Sequence, residues 1–444
     1  EFGIYILEFR AKNDDLVAQI TLPRKGPEQI YDISNSLRDD SLHRDFTINA
    51  MFLPIGYKNE EDVIDLVGGQ KDIKRGIIRA VGKPELRIKQ SPIRMMRAVS
   101  IAARTGYKVN KRLGDSITEH TRLLRGVSPE IIQNELNDIL LSDKPSKYIK
   151  MLQKFGLLKY VIPELDRCVG VGQDATYHKY PVFEHCLRSC DFAPKDLVLR
   201  LAALLHDIGK SAPKIRREVG GGRVTFHNHE VVGASEVENR LTKLKYSNEI
   251  VKAVKTLVRM HMYNYSSDVY KCDAGRKCNW KIPLKEVDKK PITKCPQCGS
   301  TTSLNRGWTD SAVRKFIRNT GMTEKDINNL DDFPLFQLRA AERLGNGLKR
   351  GAVAPKQKDF QKRIVKLYRK SKGTTIKDLD INGHILMSVF NLRPSQKIGQ
   401  ILNYLLDRLE FEVDSGKNVD DLNKEKVLVT WVAEYLYEND TGGE

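Results

Sequence analysis

The run Leu205-His206-Asp207-Ile208-Gly209-Lys210 closes an apolar stretch, Leu197–Leu205, that only Arg200 interrupts. Adjacent His and Asp at the end of a Leu- and Ala-rich helix can both turn toward one metal ion. The carboxylate has two oxygens, with which it can bridge a second ion. Upstream stands His185, in Val182-Phe183-Glu184-His185. Downstream stand His229, in His227-Asn228-His229-Glu230, and His261, in Val258-Arg259-Met260-His261. Mixed imidazole and carboxylate ligation suits Mn, Fe, Ni, Zn or Mg. Such an ion would polarise a phosphoryl oxygen and lower the pKa of an attacking water.

Six of the nine histidines fall between Tyr177 and Tyr263, where the pattern is helical. Working outward, Pro84 to about Arg167 is also helical, with Ser128-Pro129 expected to open one helix through a capping hydroxyl before a helix-starting proline. Trp308 to Lys372 is helical and basic, Ser371 to Thr375 reads as a linker, and Ile376 to Tyr437 as a final helical module. The first 70 residues alternate strand patterns (Ile4 to Phe9, Val17 to Leu22, Val63 to Leu66) with turns, and one helix is expected near Phe46 to Phe52.

The chain has 444 residues, enough for about three domains. No stretch reaches the ~18 apolar residues of a membrane span, so no membrane partner is expected. Residue 1 is not Met and the chain opens inside a strand pattern, so it reads as a fragment. Lysine and arginine number 75 against 57 acidic residues, a net charge of +18. The charge is clustered. Lys71 to Arg112 carries thirteen Lys/Arg against Asp72 and Glu85, and Arg343 to Lys372 carries eleven against Asp359. Clusters with helix-compatible apolar spacing read as basic helix faces that suit a polyanion, most simply nucleic acid.

Seven cysteines in this length do not form a disulfide scaffold. Cys168, Cys186 and Cys190 read as small buried hydrophobes in a reducing cytosol. Cys272, Cys278, Cys295 and Cys298 are different. Cys295-Pro-Gln-Cys298-Gly299 is a knuckle that offers two thiolates to one zinc, and Cys272-x5-Cys278 supplies two more sixteen residues earlier. The spacing predicts a zinc ribbon with structural Zn2+. Its Lys281, Lys285, Lys289 and Lys290 suit either RNA contact or plain solvation.

Leu42-His43-Arg44-Asp45-Phe46-Thr47-Ile48-Asn49-Ala50-Met51 is the second motif. Asp65-Leu-Val-Gly68-Gly69-Gln-Lys-Asp72, Ile77-Ile-Arg79-Ala-Val-Gly82 and Ser91-Pro-Ile-Arg94-Met-Met-Arg97 follow it. In order and wording these resemble class II nucleotidyltransferases, the tRNA CCA-adding enzymes and bacterial poly(A) polymerases. Ile381-Asn-Gly383-His384 with Leu392-Arg-Pro394-Ser-Gln-Lys-Ile398-Gly399 resembles the tail module of the same enzymes. The HD-x-GK context resembles the HD phosphohydrolase superfamily, which many members carry between neck and tail. The resemblance covers nearly the whole chain except Asp268 to Thr302, an apparent insertion.

The resemblance implies a mainly α fold: a partial α+β nucleotidyltransferase head (1–75), a helical neck (76–170), a helical HD domain with the ribbon inserted (171–372; 268–302) and a helical tail that binds tRNA (373–444). It implies that Arg44, Asp45 and Asn49 hold the nucleotide. Gln90, Ser91 and Arg94 stand at the family's Glu-Asp-x-x-Arg base template, with Arg97 one turn on and Ser100 where many members have a further Arg. In the HD site it implies His185, His206, Asp207, His229 and His261 as ligands of a divalent transition metal, with His206, Asp207 and Lys210 catalytic. Glu342, which stands where the family closes the site with Asp, is expected as the sixth ligand. The family's metal-binding Asp-x-Asp precedes the strand matching Ile4 to Arg10, and neither that pair nor its Gly-rich loop is present. Asp378-Leu379-Asp380 has the spacing but reads as a helix-start or linker feature.

The expected activity is template-independent addition of CCA to tRNA from CTP and ATP with Mg2+, joined to an HD phosphohydrolase, in the cytoplasm. The 444 residues alone are expected to bind but not to transfer. Two alternatives stay open: an HD hydrolase whose degenerate head only docks RNA, and a poly(A) polymerase.

Overall fold

The computed structural model describes residues 4–10, 15–21, 37–52, 60–219, 223–263, 269–274, 278, 280–283, 287, 291–305, 307–371 and 376–440. The expected Lys285, Lys289 and Lys290 and linker positions 372–375 lie outside them. The chain is mainly helical and divides into two compact units, residues 1–262 with 334–352 and residues 263–333 with 353–444.

The first unit begins with an antiparallel pair, β1 (Ile4–Arg10) and β2 (Asp15–Thr21), in register from Ile4↔Thr21 to Arg10↔Asp15. The helix expected near Phe46 to Phe52 is not there. A helix α1 (Leu37–His43) precedes it, and Phe46 is extended (φ −125°, ψ 150°). Only a 3-10 turn at Thr47–Asn49 and a short strand β3 (Met51–Phe52) follow. The reason is tertiary. Phe46 bridges Ala80, and Thr47 N–H donates to the Arg79 carbonyl at 2.9 Å, so a neighbouring segment takes the hydrogen bonds a helix would use. β3 pairs with β4 (Ile64–Asp65).

After β4, Asp65 accepts the backbone N–H groups of Val67, Gly68, Gly69 and Gln70 at 2.8–3.1 Å and so starts α2 (Gly69–Arg75). Burial alone would raise this carboxyl, but those four donors outweigh it and hold its pKa below the ordinary value. β5 (Ile77–Ile78) pairs in parallel with β6 (Lys108–Val109), on either side of α3 (Pro84–Gln90) and α4 (Arg94–Thr105).

The neck follows as α5 (Lys111–His120), α6 (Pro129–Leu140), α7 (Pro145–Lys154), α8 (Leu158–Val161) and α9 (Pro163–Asp166). Met95, Met96, Val99, Ile117, Leu136, Ile139 and Leu152 form its buried interior. Ser128 precedes α6 as expected, but its hydroxyl donates to Glu130 and caps no backbone N–H.

The rest of this unit builds the histidine site. α10 (Val182–Phe192) and α11 (Leu197–Leu205) lead to a 3-10 turn at Ile208–Ser211. α11 is buried on nearly every side, and its one charge, Arg200, spends its guanidinium on the carbonyls of Pro194, Leu140 and Ser142 at 3.0–3.3 Å. A hairpin that periodicity does not reveal, β7 (Arg216–Val219) with β8 (Arg223–Phe226), precedes α12 (His229–Lys243) and α13 (Asn248–Met260). The late helix α16 (Pro334–Gly345) returns to pack on α10.

In the second unit β9 (Val269–Cys272) is flanked by β10 (Lys281–Pro283) and β11 (Thr302–Asn305), both antiparallel to it. Helices α14 (Asp310–Thr320), α15 (Glu324–Asn328) and α17 (Pro355–Ser371) follow, with Tyr263, Trp308, Phe316 and Phe360 clustered among them. The tail is α18 (Gly383–Phe390), α19 (Gln396–Asp414), α20 (Val419–Leu422) and α21 (Glu425–Asp440). Its core is Leu386, Ile401, Leu405, Leu409, Leu428 and Trp431. Asp380 accepts the Glu425 N–H at 3.0 Å, a structural bond within the tail.

Candidate functional site

Asp207 sits just beyond α11 at 2% exposure, and each of its oxygens faces a pair of imidazoles. Oδ2 lies 3.2 Å from His206 Nε2 and 3.7 Å from His185 Nε2. Oδ1 lies 3.2 Å from His229 Nε2 and 3.6 Å from His261 Nε2. All four rings are buried, and they come from α10, the end of α11, the start of α12 and the end of α13.

Two glycines permit this convergence. A Cβ on Gly209 would meet the His229 carbonyl at 2.1 Å and the Gly233 nitrogen at 2.7 Å, so only glycine lets the HD-x-GK turn touch the first turn of α12. A Cβ on Gly345 would meet Ser189 at 2.6 Å, which sets the crossing of α16 over α10.

The ring nitrogens show what the cluster is built to hold. His206, His229 and His261 each place Nδ1 2.6–2.9 Å from a backbone carbonyl, of Ala203, Phe226 and Val258 respectively. A carbonyl only accepts, so each Nδ1 carries a proton, and in the neutral ring that a metal ion requires each Nε2 is a bare lone pair. His229 Nε2 and His261 Nε2 nevertheless face each other at 3.3 Å, and His206 Nε2 faces His185 Nε2 at 3.2 Å. Lone pairs opposed this closely beside a carboxylate fit a cation. The donor atoms form two sets sharing Asp207, His185–His206–Asp207 and Asp207–His229–His261, each within 4.8 Å.

The charges are strongly coupled. Burial opposes ionisation of Asp207, but His206 and Lys210 outweigh it and hold the carboxyl well below its usual range. Burial likewise opposes the charge on His206, yet Asp207 carries that pKa above the ordinary value. Burial and the neighbouring His206 push His185 down to about 3. Lys210 is held between Asp207 Oδ2 and Gln173 Oε1, both at 2.7 Å.

Glu342, on α16, is buried and held by Arg339 at 2.7 Å, and its carboxylate falls in neither donor set. Burial would raise it, but Arg339, His206 and His261 keep it ionised. Sequence reasoning passed over Arg339, Gln173 and His178. Arg339 stands one turn before Glu342, a spacing that marks an intrahelical pair. The His178 ring packs edge-on against His185.

The head residues also converge. Arg97 links Asp45 (3.1 Å) to Glu135 (3.2 Å), and Ser100 donates to the same Glu135. Arg94 donates to the His43 and Arg87 carbonyls at 2.9 Å, and Gln90 accepts from Arg87 at 2.6 Å. Arg44 pairs with Asp40 at 2.8 Å, and Asn49 is exposed at the end of its turn. Ser91 ends α3. Asp40 and Glu135, which no motif marked, hold two of these arginines.

In the second unit Cys272, Cys278, Cys295 and Cys298 bring their sulfurs within 4.8 Å of one another, with Cys272–Cys298 at 3.3 Å and Cys278–Cys295 at 3.6 Å. All four are unbridged. Tetrahedral Zn–S bonds of about 2.3 Å put sulfurs about 3.8 Å apart, so the set fits one zinc ion. Hydrogen bonds from Ser300 and Cys272 push the Cys298 thiol down to about 6, while burial and the neighbouring thiols push Cys272 up to about 12 and raise Cys278. By contrast Cys168, Cys186 and Cys190 are fully buried, and burial raises each thiol, Cys168 and Cys190 to about 12.

Three family models match in chain order: the poly A polymerase head domain over residues 11–79, the probable RNA and SrmB-binding site of polymerase A over 106–169, and the HD domain over 178–295. They define the class, a nucleotidyltransferase head followed by an RNA-binding segment and an HD domain. In these matched domains and their order the chain is similar to CCA-adding tRNA nucleotidyltransferases and poly(A) polymerases.

Among relatives, it is 33% identical over 243 residues to the A-adding tRNA nucleotidyltransferase of Deinococcus radiodurans, covering 52% of this chain and 54% of that one. It is 32% identical over 241 residues to the CC-adding tRNA nucleotidyltransferase of Thermus thermophilus, covering 52% and 53%. The chain thus spans about half the length of the curated relatives it matches. The CCA-adding enzyme of Bacillus stearothermophilus, solved with CTP, shares the fold at a TM-score of 0.55 and 17% identity, over 99% of this chain and 83% of that one. Among the described residues no helix is long and apolar enough to cross a membrane.

Proposed function

We propose that the protein acts on the 3′ ends of tRNA in the cytoplasm. Its head would serve addition of CCA from CTP and ATP with Mg2+, and its HD centre would be a phosphohydrolase that cleans RNA ends, for example by opening a 2′,3′-cyclic phosphate. The transfer reading is supported by the head match and by the similarity to A-adding and CC-adding enzymes. The hydrolase reading rests on one observation, the carboxylate of Asp207 set between two imidazole pairs whose Nε2 lone pairs oppose each other.

His185, His206, Asp207, His229 and His261 would hold a divalent transition metal, which supplies Lewis-acid polarisation of the phosphoryl group and activation of water. The protein's own part is to keep Asp207 ionised through Lys210, 2.7 Å from Oδ2. Backbone carbonyls fix three ring tautomers, and burial of the side chains keeps bulk water away. Lys210 stands beside the carboxylate as the cation for a phosphoryl oxygen, and Glu342, held by Arg339, adds negative charge beside the two donor sets. In the head, Asp45 and Glu135 set Arg97, and Gln90 with the His43 and Arg87 carbonyls sets Arg94, as donors for the nucleotide. The four cysteines would hold a structural Zn2+.

The test supplies a nucleoside 2′,3′-cyclic phosphate and a divalent transition metal. Hydrolysis is expected and is lost in His206→Ala and in Asp207→Ala; undiminished hydrolysis in both variants removes the assignment. Incubation with tRNA lacking its CCA end and each NTP tests the head. Incorporation of CTP and ATP by these 444 residues supports CCA addition and overturns the expectation that they bind without transferring, runs of A alone favour poly(A) synthesis, and retention of tRNA without incorporation agrees with that expectation.

A further inference from the structure

The chain stays at the histidine centre after α16 ends. Asn346, fully buried, donates from Nδ2 to the Tyr177 carbonyl at 2.9 Å, and its own carbonyl accepts the Lys179 N–H at 3.3 Å. At the next residue, Gly347, a Cβ would meet the Tyr180 ring at 2.5 Å and the Lys179 side chain at 3.0 Å. The Tyr180 ring is itself covered by the Arg188 guanidinium, 4.5 Å from its centroid, so a side chain at 347 has nowhere to go. Residues 346–349 are thereby clasped to the loop 173–181.

Each of these two segments brings a hydrogen-bond donor to the same edge of the centre. The loop 173–181 is anchored through Gln173, whose Nε2 donates to the Tyr180 carbonyl at 3.1 Å and whose Oε1 accepts from Lys210 at 2.7 Å. It carries His178, whose ring packs edge-on against His185 with centroids 5.4 Å apart. His206, His229 and His261 each spend Nδ1 on a backbone carbonyl, whereas among the described residues neither ring nitrogen of the half-buried His178 has a hydrogen-bond partner.

The segment 346–349 carries Lys349. Its half-buried ammonium forms no ion pair with a carboxylate among the described residues. Burial lowers its pKa, and Arg339, Arg343 and Lys210 act in the same direction against the pull of Glu342. Burial, then Lys210 and Lys349, hold His178 down at about 4, so both ammonium groups stand near that ring. Half-buried cations gathered in this way repel one another unless an anion joins them. Lys210 is already satisfied, by Asp207 and Gln173 at 2.7 Å. His178 and Lys349 are left as donors of the kind that an oxyanion takes.

We propose that His178 and Lys349 form a phosphate-binding subsite of the HD centre and donate to the non-bridging oxygens of a ribose-linked terminal phosphate. The subsite rests on the phosphohydrolase reading and adds substrate contacts to it. Lys349 lies beyond the HD match at 178–295.

The test uses the protein loaded with a divalent transition metal. It measures affinity for a nucleoside 3′-monophosphate by calorimetry, and the kinetics of 2′,3′-cyclic phosphate hydrolysis. Lys349→Met keeps the aliphatic stem and removes the charge. His178→Phe keeps a ring against His185 and removes the donors. Each is expected to weaken monophosphate binding about 10–100-fold, the worth of one hydrogen bond to a charged group. KM for the cyclic phosphate rises in step, while bound metal and Tm stay at wild-type values. Lys349→Arg, which keeps the cation, recovers most of the lost affinity. Arg350→Ala makes the same charge change at the next, exposed residue and leaves both readouts unchanged. Should Lys349→Met fail to fold, Lys349→Gln carries the same expectation. Wild-type affinity and KM in both variants overturn the subsite alone. So does an affinity loss accompanied by lost metal or a lowered Tm, which makes the two residues structural. A wild type that neither binds the monophosphate nor hydrolyses the cyclic phosphate overturns the hydrolase reading as well.

Discussion

Gly209→Ala tests the packing that assembles the histidine site. The new Cβ would stand 2.1 Å from the His229 carbonyl oxygen, where real contacts stay beyond 3.0 Å. The obstacle is backbone on a helix, so no side chain can swing aside. The first turn of α12 must retreat by at least about 0.9 Å, and His229 retreats with it. Its Nε2, now 3.2 Å from Asp207 Oδ1 and 3.3 Å from His261 Nε2, is carried out of that register with both. Misplacement of that size costs on the order of 10²-fold in rate. Overpacking against backbone costs roughly 1–3 kcal/mol, which lowers Tm by roughly 2–12 °C in a unit of this size. Gly233→Ala is the control. Its Cβ meets nothing closer than 3.3 Å, so both effects are expected to be slight. The assay is metal-dependent hydrolysis of a cyclic nucleotide beside a thermal melt. Wild-type rate and Tm in Gly209→Ala would refute the reasoning.

Other outcomes follow from the same geometry. Metal analysis is expected to find about one tightly held Zn per chain, absent after Cys295→Ser/Cys298→Ser; equal zinc in that variant dismisses the ribbon site. Asp65→Asn is expected to cost about 1–2 kcal/mol at pH 7 by denaturant unfolding. The folded pKa of Asp65 is depressed, so its contribution is present above the unfolded value near 3.9 and is lost as pH falls through the folded value. The gap between wild type and Asp65→Asn should therefore close below about pH 4, and a gap constant from pH 7 to 3 contradicts the capping account. Gln90→Glu with Ser91→Asp would set two carboxylates beside Arg87 and Arg94, and nucleotide competition should then show sharper discrimination. Unchanged preference removes this segment as the base reader.

The histidine site was legible because its chemistry is carried by residue type and order. His185, His206-Asp207, His229 and His261 could be named without knowing how four helices meet. The cysteine set was legible for the same reason, since four thiols at knuckle spacing have few uses. Glu342 shows the limit. Its position on a late helix was readable, but its partner Arg339 decides where the carboxylate points, and that choice depends on the packing of α16 on α10. The head was harder still. Periodicity pointed to a helix after Asp45, whereas Thr47 gives its N–H to the Arg79 carbonyl, 32 residues on. Asp40 and Glu135 escaped notice because an acidic residue on a helix announces nothing until an arginine from another element reaches it. The hairpin Arg216–Phe226 is too short and too polar to alternate visibly.

The order in which the histidine site is assembled has a consequence for biosynthesis. His261 ends α13, and Glu342 arrives 81 residues later, after the whole excursion through the cysteine ribbon, α14 and α15. At about 5–20 residues per second, a ribosome needs roughly 4–16 s to make that stretch. During this interval the nascent chain holds Asp207 and its four imidazoles while the face of α10 that will receive Gly345 stays bare. The histidine cluster can therefore form before α16 closes over it, and any lengthening of the excursion prolongs the time in which α10 is open to chaperones or to aggregation.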